Sequence, residues 1–121
     1  MKEQETWLKK AEDDLDVAKY NLKGNKTEAG LFFLQQSSEK ALKSLYIKKF
    51  KKLIRTHDLV LIAREVKAPD EIISLCKQLT PLYQFTRYPD ASPIDNLNEL
   101  STKLTNYTEE ILKWAKKKLQ E

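Results

Sequence analysis

The chain has one cysteine, one histidine, two glycines and four prolines in 121 residues, and each scarcity excludes something. With Cys76 alone there is no internal disulfide and no Cys-based zinc cluster, so a reducing, cytosolic setting is expected. With His57 alone, no pair of histidines can hold a metal within one chain. No alternating apolar pattern and no Asn-Gly or Asp-Gly pair marks a β-hairpin. No apolar run approaches the length of a membrane span, and "MKEQETWLKK" lacks the apolar stretch of a signal peptide, which predicts a soluble, cytoplasmic protein with no membrane association. A Gly-rich phosphate loop, a carboxylate pair at metal-site spacing and a nucleophile triad are all missing, so neither a metal nor a cofactor is expected.

What is present favours helix. Charged residues make up 33% of the chain, and Lys, Glu, Leu and Ala are common, the composition of an all-α protein. Its length suits one domain over 1–121. Trp7, Leu8, Ala11, Leu15, Ala18 and Leu22 recur every three or four residues and predict a helix from Gln4 to Lys23. A second helix, Thr27 to about Phe50, carries Leu31, Leu34, Ser38, Ala41, Leu42, Leu45 and Tyr46 on one face. Phe32 and Phe33 widen its apolar girth, as expected of a central element. Thr56 or Asp58 could cap a short third helix, Leu59 to Val66, that Ala68-Pro69 stops. Asp70 is expected to cap a fourth, running through Tyr83 with a kink or a tightened last turn at Pro81. The last spans Asp95 to Leu119. The sum is an antiparallel up-and-down bundle of about five helices, three long and two shorter.

Four places carry candidate chemistry, each with two readings. The net charge of +4 permits a polyanionic ligand without requiring one. "KKFKKLIR" places Lys48, Lys49, Lys51, Lys52 and Arg55 at the end of the second helix, either as dipole-stabilised surface cations or as a phosphate-facing patch. In "QQSSEKALK", Gln36, Lys40 and Lys43 share one helix face, and Glu39 stands four residues before Lys43. That face is either a solvated surface or a polar seam in a cleft or dimer interface. His57, beside Asp58, either performs acid–base or nucleotide-contact work or bonds a neighbouring carbonyl at a helix start. In "TRYPDASP", Arg87, Tyr88 and Asp90 form either a proline-stopped helix end or a planar cation and ring suited to a phosphate and base, or to a carboxylate across an interface.

Four blocks in order, "WLKKAEDDLDVAKYNL", "FFLQQSSEKALKSLYI", "THDL" and "LYQFTRYPD", resemble the HEPN domain family, the nucleotide-binding domain named from higher eukaryotes and prokaryotes. The resemblance extends over nearly the whole chain. It implies a helical bundle that commonly pairs into homodimers, and stand-alone members are often accompanied by a minimal nucleotidyltransferase in arrangements like toxin–antitoxin pairs. Many members are metal-independent ribonucleases with an Arg, four to six residues, then a His. This chain departs from that motif. No histidine follows Arg87, Arg55 lies only two positions before His57, and the residue at the right spacing before His57 is Lys52, which lacks the guanidinium fork. The resemblance therefore implies a non-catalytic binding protein, with Arg87, Tyr88, Asp90, His57, Asp58, Gln36, Lys40 and Lys43 as candidate contacts for a nucleotide, RNA or partner. Two alternatives stand beside it. One is a divergent ribonuclease using His57 with Arg87 or Lys52, and the other is a purely structural dimerisation module.

Overall fold

The computed structural model describes residues 2–121, which form six helices and no strand. α1 (Glu3–Lys23), α2 (Thr27–Phe50) and α6 (Leu97–Leu119) are long; α3 (Leu59–Glu65), α4 (Asp70–Leu79) and α5 (Pro81–Arg87) are short. Only Thr80 separates α4 from α5, and it keeps helical angles, φ −53° and ψ −43°. The Tyr83 N–H bonds the Thr80 carbonyl three residues back, so the expected fourth helix divides at Pro81 through a tightened turn. Pro81 takes the first position of α5, where a missing N–H costs nothing, and the Thr80 hydroxyl donates to the Cys76 carbonyl at 2.8 Å.

Other boundaries also differ from expectation. Pro69, not Asp70, holds the N-cap of α4; Asp70 is the first helical residue, where its charge complements the dipole without a capping bond. α6 begins at Leu97 rather than Asp95 because Asn96 adopts the left-handed conformation at φ 57°, which Asn tolerates better than most residues. At α3 the alternative resolves in favour of Asp58, whose Oδ1 accepts the Leu61 N–H at 3.1 Å, while Thr56 Oγ1 accepts the Asp58 N–H.

The α1–α2 turn uses Asn25 at φ 63°. Its N–H bonds the Leu22 carbonyl, and the Lys26 N–H bonds that of Asn21. This closure of the helix end reverses the chain within three residues and lays α2 antiparallel to α1. Gly30 permits their close approach: a Cβ there would fall 2.5 Å from Leu22 Cγ.

α2 is the central helix, about 36 Å long at the standard rise, and packs against α1, α3, α5 and α6. From residue 30 to 47 only Phe32, Phe33, Gln36 and Lys40 escape full burial. Its buried hydroxyls are all partnered: Ser37 donates to the Ala11 carbonyl at 2.7 Å, and Ser38 bonds with the Leu34 carbonyl at 3.0 Å, its oxygen lying 3.3 Å from that of Thr108. Among the described residues, no helix is long and apolar enough to cross a membrane.

Candidate functional site

Three elements bring the candidate residues together. α2 contributes Gln35, Glu39 and Lys43, one helical turn apart on a buried face. The segment between α2 and α3 contributes His57, and α5 contributes Tyr83 and Arg87, again one turn apart. Glu39 is the centre, only 5% exposed. Its Oε1 accepts from Gln35 Nε2 at 3.0 Å and lies 3.0 Å from His57 Nδ1; its Oε2 accepts from Lys43 Nζ at 3.0 Å. Burial by itself would push the Glu39 carboxyl up, but the hydrogen bonds from Gln35, Lys43 and His57, with the Lys43 charge, outweigh it and hold the carboxyl below its usual range.

The carboxylate also orients His57. An ionised carboxylate only accepts, so Nδ1 carries the hydrogen, and in the neutral ring Nε2 keeps its lone pair. The imidazole stacks on Tyr83 with centroids 4.6 Å apart and planes 24° off parallel, and the His57 side chain remains 52% exposed.

Arg87 lies against the same tyrosine. Its guanidinium carbon is 3.9 Å from the Tyr83 ring centroid and 4.7 Å from that of Phe32. Nη2 donates to Gln35 Oε1 at 3.2 Å and Nη1 to the Tyr83 carbonyl at 3.3 Å. Arg87 therefore bonds a helix-end carbonyl and also joins a polar cluster. Two of five N–H donors are used in these bonds, which leaves others for an anion. Gln35 links the halves, its oxygen taking Arg87 and Gln36, its nitrogen reaching Glu39.

Of the other candidates, some border this cluster and some stand apart from it. Lys40 pairs with Asp14 of α1, a residue 2% exposed that also lies 3.6 Å from Lys10. That group ties α1 to α2. Lys43 is 6% exposed and stands 6.0 Å from the Trp7 ring centroid. The face bearing Gln36, Lys40 and Lys43 is therefore a largely buried polar seam, not a solvated surface. Asp58 caps α3, as above. Tyr88 and Asp90 are exposed beyond the end of α5. In the basic run, Lys48 donates to the carbonyls of Leu119 and Glu121, Lys49 donates to that of Glu65, and Lys51 closes α2 at φ 60°. Lys52 and Arg55 are exposed. Cys76 is buried in the core, and burial pushes its thiol up to about 12, so it is inert as a nucleophile.

Sequence reading missed three contributors. Tyr83 reads as a core position of its helix, though its place four residues before Arg87 was a usable signal. Gln35 looks like any helical glutamine. Asp14 hides among the acids of α1 although it falls within the stripe formed by Ala11, Leu15 and Ala18.

The HEPN domain family matches residues 4–119. The chain belongs to that family. It is similar to the crystal structure of an archaeal HEPN homologue, with 30% identity and a TM-score of 0.78 over 98% of this chain and 99% of that one. A Thermus thermophilus protein shares the fold at 24% identity, with a TM-score of 0.83 over 98% and 99% of the two chains. No curated protein matches the chain. Within this HEPN domain the Arg-to-His ribonuclease spacing is absent from the sequence, while His57 and Arg87 each lie against the Tyr83 ring.

Proposed function

We propose that this HEPN protein is a non-catalytic binding protein whose Arg87–Tyr83–His57 cluster contacts an anionic ligand of the nucleotide or RNA type. The observation that supports it most is the guanidinium held over the Tyr83 and Phe32 rings, 3.9 and 4.7 Å from their centroids, with N–H groups to spare. A planar cation on an aromatic platform offers a phosphate a fork and a base a stacking surface. The family supports a homodimer and a minimal nucleotidyltransferase as partner, in a pair like a toxin and its antitoxin. Titration of an oligoribonucleotide into wild type and Arg87→Ala tests the ligand reading. Affinity is expected to fall about tenfold or more in the variant, roughly 1.4 kcal/mol, with circular dichroism unchanged. Equal affinities would sink it. Sedimentation giving a monomer that also fails to bind the transferase would remove the partner reading.

A second reading, a divergent metal-independent ribonuclease, is favoured by one specific observation. His57 bonded through Nδ1 to buried Glu39 has the arrangement of a general base with an orienting carboxylate. On that reading His57→Ala abolishes cleavage by highly purified protein while leaving the fold intact. Cleavage that persists in the variant would point to a contaminating nuclease.

A further inference from the structure

The positive charge of this protein is concentrated at one end of the bundle. α2, α3 and α6 all finish there, since Lys48 reaches the end of α6 and Lys49 the end of α3. Residues 48–52, 64–67 and 116–121 contain nine Lys and Arg against two Glu, an excess of seven. The whole chain has an excess of only four, so everything outside these segments is net acidic by three. Three helix C-termini supply roughly −1.5 elementary charges in total, too little to account for that concentration.

Within it lies a groove of about 360 Å³ lined by Leu45, Lys48, Lys49, Val66, Lys67 and Lys118. No acidic side chain and no aromatic ring lines it. Two of its ammonium groups are already fixed: Lys48 by the Leu119 and Glu121 carbonyls at 2.8 and 2.7 Å, Lys49 by the Glu65 carbonyl at 3.0 Å. Each ammonium carries three N–H groups, so Lys48 retains one and Lys49 two beyond these bonds. Fixing them beforehand lowers the ordering cost of binding an anion.

We infer that this groove is a docking surface for an acidic peptide segment of a partner protein, one that places an apolar side chain on Leu45 and Val66 between the four lysines. The apolar floor favours a peptide over a polynucleotide, because a phosphate backbone has nothing to set there, and the exposed Phe50 ring, 5.2 Å from Lys49 Nζ, lies beside the groove rather than in its lining. A second copy of this chain is a poorer occupant. Three of the six acids of α1 are engaged within the chain, Asp13 with Lys9, Asp14 with Lys40, and Glu12 with Lys116. The exposed Glu3, Glu5 and Asp16 are spread along the helix with no exposed apolar side chain between them for the groove floor. The groove shares no residue with the Arg87 cluster, so this inference does not depend on that cluster's ligand.

The test uses a fluorescein-labelled peptide of Glu and Leu, the same peptide with every Leu replaced by Ser, and polyuridylate as competitor, all against the full chain. The variant is Lys67→Glu with Lys118→Glu, two exposed positions whose ammonium groups bond no helix-end carbonyl. Lys118 pairs only with the exposed Glu121 carboxylate at 3.3 Å, and circular dichroism checks that the helix ends are kept. The Glu/Leu peptide is expected to bind saturably, the variant to weaken it at least tenfold, the Ser peptide to bind at least tenfold more weakly, and polyuridylate not to displace it. No saturable binding, equal binding by the Ser peptide or by the variant, or displacement by polyuridylate would overturn the inference. So would a drop in oligomeric state of the variant by sedimentation, since the occupant would then be a second copy.

Discussion

At the residue scale, Glu39 determines whether the site exists. Among the described residues it is the acidic side chain paired with both Lys43 and His57, and it reaches Arg87 through Gln35. Glu39→Gln would leave the buried Lys43 ammonium without a counter-charge, and a cost of about 2–4 kcal/mol is expected by denaturant unfolding. The same carboxylate fixes a pH dependence. Its folded-state pKa lies below the usual range, so its stabilising contribution is complete above the unfolded value and disappears as pH falls through the folded one. Wild type should therefore lose stability on acidification below about pH 4, and Glu39→Gln should show a shallower loss. An identical slope in the two proteins would show that Glu39 is not held ionised by its partners. His57→Ala, which removes one of the three hydrogen bonds to Glu39, should shift the acid limb of the wild-type curve toward higher pH.

At the scale of elements, the turns and the close packing of α1 on α2 carry the architecture. Gly30→Ala is expected to destabilise by about 1–3 kcal/mol, because the new methyl would meet Leu22 Cγ at 2.5 Å and the Ala18 carbonyl at 3.2 Å. Leu22 can partly move and the carbonyl cannot. An unchanged midpoint of thermal unfolding would mean that α1 can pull away from α2 freely. Asp58→Ala should cost about 1 kcal/mol through loss of the α3 cap, and because Asp58 directly follows His57, it should also loosen the stacking on Tyr83. Heteronuclear NMR of the His57 ring would report that loosening.

At the scale of the molecule, the helices were legible in the sequence because their apolar stripes repeat at helical spacing, and α1, α2 and α6 end where caps and charges indicate. The starts of α4 and α6 were less so. A cap depends on local backbone conformation, and residue type alone did not show that Pro69 would precede Asp70 or that Asn96 would turn left-handed. For the candidate site, the stretches "QQSSEKALK", "THDL" and "RYPD", which carry the resemblance, each supply a residue to the cluster around Glu39. Which residues in them meet was decided by packing. The depth of α2 converts an ordinary helical Glu39–Lys43 pair into a buried one, and α5 folds back to place Tyr83 against His57. Periodicity marks a position as inward-facing but does not say whether its neighbour is a leucine or a histidine.

The most direct test follows a labelled oligoribonucleotide incubated with highly purified protein in the absence of metal, resolved on native and denaturing gels beside Arg87→Ala and His57→Ala. The account predicts a shifted band on the native gel that is weakened in the Arg87 variant, and RNA that runs intact on the denaturing gel in all three samples. Cleavage by wild type that vanishes with His57→Ala would contradict it and establish a ribonuclease.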